Sequence, residues 1–150
     1  MTQEDKELLL RDLCTRLLYD LKCKLYLDKY CAWNPEYDKI LADAAKVRPE
    51  LPSKMREKTY TLYGIEGNRA ILLEFEDHGY GVPIEFIKPY LRPMSSITKE
   101  EYEEETTLFG WNTGWEHYDW LNSHHFDYRG LIEKCLALEA PEGMYKFKKK

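Results

Sequence analysis

Leu9, Leu10, Leu13 and Leu17 recur at the spacing of one helical face, while Glu4, Asp5, Glu7, Arg11 and Asp12 fall between them and read as the solvent side. Thr2, with Asp5 three residues on, supplies a capping-box start, so a helix is predicted to about residue 18. The period then shortens to two. Leu21, Cys23, Leu25 and Leu27 alternate with Lys22, Lys24, Tyr26 and Asp28, the repeat of a half-buried strand. Asn34-Pro35 reads as an N-cap followed by proline at the first helical position, and Tyr37, Ile40, Leu41, Ala44 and Val47 supply an apolar stripe. A short strand over 37–41 is the competing reading. Arg48-Pro49 and Leu51-Pro52 end this element and predict a loop or linker.

From 59 to 87 the pattern is that of a meander: a Thr- and Tyr-rich run over 59–65, a turn at Glu66-Gly67-Asn68, an apolar strand over 70–75, a second turn over 77–81 and a closing strand over 82–87. Pro83 places the start of that last strand at an edge. Pro89 and Pro93 predict that 87–93 leaves the sheet as an extended or tightly turned segment. The fold class is therefore α+β, with a small antiparallel SH3-like sheet or barrel, an N-terminal helix and a C-terminal helical region. An open antiparallel sheet covered by the first helix is the competing layout. Residues 1–150 are expected to form one domain, with subregions at 1–93 and 94–150.

In the second subregion Thr98 and Glu101 form a capping pair for an acidic helix to about residue 105, whose glutamates read as a solvated face. Residues 107–115, with Gly110 and Gly114, are turn-like, and 116–123 suit a helix that can bury Tyr118, Trp120 and Leu121. Then comes the densest stretch of the chain, His124-His125-Phe126-Asp127-Tyr128-Arg129-Gly130-Leu131-Ile132-Glu133. Asp127 reads as the N-cap of a short helix over 128–135, with Phe126 stapled to Leu131 or Ile132. Residues 136–140 and 144–147 predict two small strands around a turn at Pro141-Glu142-Gly143.

Composition narrows the chemistry. Apolar residues make up 43% and charged residues 33% of the 150, with 12 Tyr and 4 Trp, the make-up of a folded chain. Net charge is −5, and the body is more acidic still once the C-terminal Lys146, Lys148, Lys149 and Lys150 are set aside. Such a body repels phosphate backbones, so nucleic acid is disfavoured as a partner except at a local basic patch. The lysine tail reads as a frayed, solubilising end. The acidic N-terminus and the lack of a long apolar run predict a cytoplasmic protein with no membrane partner. Cys14, Cys23, Cys31 and Cys135 contain no C-x-x-C pair and are expected as buried free thiols.

His124, His125 and Asp127, with Cys135 beyond them, are the densest set of metal-ligand residue types. Adjacent histidines on a regular element diverge, however, and no H-x-x-x-H spacing accompanies them, so neither a metal nor a cofactor is expected. One histidine is expected to cap or pack at the helix end while the other meets solvent. No serine elbow, phosphate loop or dinucleotide fingerprint occurs, and Cys135 in an apolar run reads as a buried small hydrophobe, so no catalytic residue is assigned. Tyr60, Tyr63, Phe75, Tyr80, Phe86 and Tyr90 divide between core and a stacking face; Trp33, Trp111, Trp115 and Trp120 suit protein contacts where exposed. The candidate partner-binding residues are Lys88, Tyr90, Arg92, Trp111, Trp115, His124, His125, Tyr128 and Arg129. They are expected to join the 88–92 segment to the 124–129 junction.

The blocks Ile87-Lys88-Pro89-Tyr90-Leu91-Arg92-Pro93-Met94-Ser95-Ser96 and Trp120-Leu121-Asn122-Ser123-His124-His125-Phe126-Asp127-Tyr128-Arg129-Gly130-Leu131-Ile132-Glu133-Lys134 resemble a family of short proteins from Bacteroides-group gut bacteria, often encoded in phage and mobile elements. The family label carries no reaction. Its members often have a glycine-bearing segment where Leu17-Leu18-Tyr19-Asp20-Leu21-Lys22 stands here, and a turn glycine at Cys135. The resemblance implies a non-enzymatic protein-interaction or accessory module of a phage or mobile element, with a protein as partner. A nucleic-acid-binding small barrel is the alternative.

Overall fold

Thr2 opens the first helix as its sequence predicts: its side chain accepts from the Asp5 amide at 3.1 Å, and the Asp5 carboxylate reaches back to the Thr2 amide. The structure, a computed structural model, describes residues 1–73, 75, 81–109 and 115–145, with backbone alone for 105–109, 115 and 116. Helix α1 (Gln3–Thr15) ends three residues early and gives way to a 3-10 turn (Leu17–Tyr19) that leaves Leu18 exposed. Leu9 and Leu13 are buried as expected. So is Asp12, which corrects its placement on the solvent side.

Strand β1 (Lys22–Leu25) keeps the predicted alternation but stops sooner, because Leu27 opens helix α2 (Leu27–Trp33), an element the periodicity hid. Helix α3 (Pro35–Val47) starts on the Asn34 cap, whose side chain accepts from the Tyr37 amide at 3.2 Å. Only Tyr37 and Leu41 of its stripe are buried; Ile40 and Val47 face outward. The predicted linker is instead α4 (Leu51–Glu57). Pro52 lies in its first turn, where a missing amide costs nothing.

Strands β2 (Thr59–Glu66), β3 (Arg69–Leu72), β4 (Val82–Pro83), β5 (Ile87–Leu91) and β6 (Leu138–Glu139) join β1 in one six-stranded sheet of order β4-β3-β2-β1-β5-β6. Its pairs are antiparallel except β5–β6. The fold is thus mixed α+β, with helices at both ends of the chain and a central mixed sheet. The order is linear, ending on β4 and β6. Pro83 sits on an edge strand as expected, although β4 is two residues long and a 3-10 turn (Ile84–Phe86) separates it from β5. The predicted turn over 77–81 lies outside the described residues up to Tyr80, and so does Tyr80 as an aromatic candidate.

Strand β5 corrects the largest misreading. It lies between β1 and β6, prolines notwithstanding. The Tyr26 amide donates to the Phe86 carbonyl at 2.8 Å, which fixes the parity of the β1–β5 ladder: Lys24 and Lys88 form a hydrogen-bonded pair, and Pro89, opposite Cys23, points its nitrogen away from β1. On that other side β6 pairs only from Tyr90 onward, so no ladder bond is lost. Cys23, Leu25, Tyr60, Leu62, Ile87 and Leu91 face inward with Leu9, Leu13 and the α2–α3 aromatics.

Beyond the sheet, helix α5 (Lys99–Phe109) begins on the expected Thr98–Glu101 capping pair and runs past residue 105; the predicted turn over 110–114 lies outside the described residues. Helix α6 (Trp115–Ser123) buries Trp120 and Leu121 but leaves Tyr118 half exposed. After it, 128–135 forms turns rather than a helix. Asp127 still caps them, accepting from the Leu131 and Ile132 amides at 2.8 and 2.9 Å. Phe126 packs with Trp120 and Leu121, whereas Leu131 and Ile132 belong to the main core, so the staple does not form. The C-terminal hairpin is also replaced: β6 pairs with β5, and Met144 and Tyr145 lie in a bend, with 146–150 outside the described residues.

Asp20, His125 and Cys135 are the non-glycine residues with left-handed backbone among those described, at φ of 52°, 61° and 59°. Cys135 is exposed, as is Cys14, while Cys23 and Cys31 are buried. Burial pushes the Cys23 thiol up to about 12, against a smaller opposing pull from Lys22.

Candidate functional site

The 88–92 segment and the 124–129 junction do meet. Arg92 and Phe126 form a parallel bridge in which the Arg92 amide donates to the His125 carbonyl at 2.7 Å and the Asp127 amide donates to the Arg92 carbonyl at 2.8 Å. The side chains there are largely committed to holding the fold. Arg92 grips both oxygens of Glu101 at 2.6 and 2.7 Å and lies over the Phe126 ring. Glu101 is buried, contrary to the solvated helix face expected of it. Burial alone would raise its carboxyl; the hydrogen bonds from Arg92 and Thr98 outweigh that and hold it below the usual range.

Tyr128 and Arg129 belong to a second polar knot. Asp12 takes Arg16 at 2.9 and 3.1 Å and Arg129 at 3.2 Å, and Arg16 also donates to the Phe126 carbonyl. Arg129 donates to the Tyr128 hydroxyl, which donates in turn to Asn122 at 2.9 Å. One buried carboxylate between two guanidinium groups ties α1 to the junction.

The histidines diverge, as adjacency predicts. His124 stacks on Trp120 and places Nδ1 2.9 Å from the Trp120 carbonyl at the end of α6. His125 does not meet solvent. It ends α6 in a left-handed cap, with its amide bonded to the Asn122 carbonyl and the Phe126 amide to that of Leu121, and its ring stacks on Tyr145 at 3.8 Å. Burial first, then the positive charge of Arg16, lowers its pKa to about 3. Among the described residues no group of three or more His, Cys, Asp and Glu is placed to hold a metal ion. Of the tryptophans, Trp120 is buried and Trp33 half exposed; Trp111 lies outside the described residues, as does the Trp115 side chain.

The two remaining candidates, Lys88 and Tyr90, open onto a different surface. Strand parity turns Lys22 and Lys24 of β1, Thr59, Thr61 and Tyr63 of β2, and Lys88 and Tyr90 of β5 to the face of the sheet opposite the core. On that face Lys24 and Lys88 are direct cross-strand partners. Their ammonium groups, with that of Lys29 from α2, converge on one ring: they lie 5.2, 5.5 and 5.3 Å from the centroid of Tyr26. Lys22 reaches Thr61 at 2.7 Å. Asp28, the acid nearest in sequence, is taken by Arg56 at 3.1 Å. Among the described residues none of Lys22, Lys24, Lys29 and Lys88 has a carboxylate at ion-pair distance. Burial, then the neighbouring Tyr26, raises the Tyr90 phenol.

Like charges directly opposite one another weaken a sheet, and the Tyr26 quadrupole returns part of that cost by attracting each ammonium. The result is a concentrated positive patch on an acidic protein, flanked by three tyrosines. Sequence reading named Lys88 and Tyr90 as candidates but not Lys22, Lys24, Tyr26 or Lys29, which the structure places beside them. The alternation that set Lys22 and Lys24 on one face was visible; their neighbour Lys88 was not, because it depends on the β1–β5 pairing. No helix among the described residues is long and apolar enough to cross a membrane. Comparison with protein-family models, curated proteins and solved structures finds no match, so the reading of this face rests on its own geometry.

Proposed function

We propose that this chain is a non-enzymatic binding protein that engages an anionic partner across the outer face of its sheet. The observation that carries the reading is the convergence of Lys24, Lys29 and Lys88 on Tyr26 with no carboxylate at ion-pair distance among the described residues. A side-by-side Lys24–Lys88 pair works against folding and is relieved when an anion binds. The residues first expected to bind, Arg92, His125, Tyr128 and Arg129, are occupied by internal partners, which moves the working surface from the junction to the face. The small sheet remains the platform, as an SH3-like reading has it, but it is used through its side chains. Within the phage or mobile-element setting that the sequence resemblance implies, such a protein acts as an accessory module that captures its partner without turnover.

The test is fluorescence anisotropy with three labelled polyanions, heparin, poly-glutamate and a single-stranded oligonucleotide, over a range of salt. Charge reversal at Lys24 and Lys88 together is expected to weaken binding to at least one of them by about tenfold or more and to flatten its salt dependence. Lys46→Glu with Lys54→Glu, at exposed positions of α3 and α4, serves as the control of equal net-charge change. Equal effects from both changes, or no binding to any of the three, overturns the proposal.

A further inference from the structure

We infer that the anionic partner is single-stranded nucleic acid, with phosphates on the lysines and bases against the tyrosines; this rests on the proposed function and names its ligand. The argument begins with which part of the sheet is offered. A peptide that binds a sheet gains most from adding to an edge, where main-chain donors and acceptors wait. The patch lies on a face, built from side chains of the internal strands β1 and β5 and of β2 beside them. A peptide lying there leaves its own backbone unpaired. A nucleic-acid strand has no such need, since its polar groups are phosphates and its bases present apolar rings.

The residue types fit the same ligand. Lys22 and Lys24 stand two residues apart on β1, about 6.6 Å along the strand, and Lys88 lies about 4.8 Å to the side on β5. Tyr63 is 70% exposed on β2, and Tyr26 and Tyr90 are half-buried on β1's end and β5. Lysines and tyrosines thus interleave over three neighbouring strands, the pairing of backbone charge with stacking rings that binds single strands without strong sequence preference. A duplex keeps its bases out of reach of these tyrosines. Its second phosphate strand also meets a body whose net charge is −5.

Tyr26 has a role apart from stacking. Its ring gathers the three ammonium groups, so Tyr26→Phe keeps them together and Tyr26→Ala disperses them.

The experiment compares labelled dT and U strands of ~12 nucleotides, a base-free strand of the same number of phosphates, the matching duplexes and poly-glutamate. The single strands are expected to bind tightest, and the dT and U arms show whether DNA or RNA is preferred. Tyr63→Ala, at an exposed position where folding is not at stake, is expected to weaken single-strand binding by about fivefold or more and to leave the base-free strand unchanged. Lys24→Glu with Lys88→Glu weakens both, with thermal midpoints confirming that the variants fold. Base-free strand or duplex bound as tightly as the single strand, or an unaffected Tyr63→Ala, overturns the inference. Lysine-dependent binding of poly-glutamate alone overturns it too, yet leaves the anion-binding reading standing; no binding to any probe removes both.

Discussion

The Tyr145 hydroxyl donates to the main-chain carbonyl of Tyr90 at 2.7 Å while accepting from the Lys22 amide at 2.9 Å. The β1–β5 register makes Lys22 and Tyr90 the next hydrogen-bonded pair after Lys24 and Lys88, so a side chain from near the C-terminus is inserted where the ladder would otherwise close. Burial keeps the phenol raised and therefore a donor. Strands β1 and β5 and the end of the described chain are joined through this one oxygen.

Tyr145→Phe keeps the ring on His125 and removes only that oxygen. Two main-chain groups lose their partner, and stability is expected to fall by about 1–3 kcal/mol. Urea denaturation reads it as a lower midpoint at unchanged slope. An unchanged midpoint would mean that the strands close the ladder directly once the hydroxyl is gone.

His125 makes the fold sensitive to mild acid. An unfolded histidine takes its proton near its ordinary value of 6.5, but the folded one resists down to about 3. Between those values the unfolded chain binds more protons, so stability is lost as pH falls from about 6.5 toward 3, by up to about 1.4 kcal/mol per pH unit, and this contribution is absent above that window. His125→Asn, which tolerates the left-handed φ, is expected to flatten the dependence of the thermal midpoint on pH between 6.5 and 4.5. Wild-type and variant curves of equal slope would place the acid sensitivity elsewhere.

These features sort by how far apart in sequence their causes lie. The caps at Thr2, Asn34 and Thr98 are each decided within four residues, and all three were legible. Asp12 has the spacing of a solvent-facing residue; the junction that it meets, through Arg129, lies 117 residues on. Pro89 reads as a strand breaker until its partners are known, since only the start of β6 at Leu138 shows that its missing amide is not needed. The lysine patch failed for the same reason. Lys24 and Lys88 are 64 positions apart, and no local pattern announces that β1 and β5 are neighbours.

Removing the Asp12 carboxylate should be among the most damaging single changes. Arg16 is fully buried, and with Asp12→Ala it keeps the Phe126 carbonyl but loses its counter-ion. A loss of about 3–5 kcal/mol is expected. Arg129→Ala removes a partner that is partly exposed and leaves the Asp12–Arg16 pair intact, so its cost is smaller. Denaturation of the two variants checks the order, and an Arg129 variant as unstable as the Asp12 variant would show that the second guanidinium is essential to burying the carboxylate.

Cys135 and Asp20 offer the opposite sign. The Cys135 amide bonds to the Ile132 carbonyl and the Leu136 amide to that of Leu131, the bonding of a helix-end motif whose left-handed position favours glycine. Here that position, at φ 59°, carries a cysteine, and Asp20 at φ 52° repeats the situation before β1. A left-handed φ strains an L side chain, whereas glycine is free of that strain but gives up more entropy on folding. The strain relief outweighs the entropy, so Cys135→Gly is expected to stabilise by about 0.5–1 kcal/mol. Cys135→Ala removes the thiol without relieving φ and should not stabilise. Asp20→Gly is expected to gain less than Cys135→Gly, because Asp tolerates the left-handed region better than Cys, and the double variant to be additive, since the sites share no hydrogen bond. Thermal midpoints that rise for both glycine variants and not for alanine confirm that backbone geometry, rather than thiol chemistry, is what the glycine supplies; a rise for alanine as well would assign the effect to the cysteine side chain.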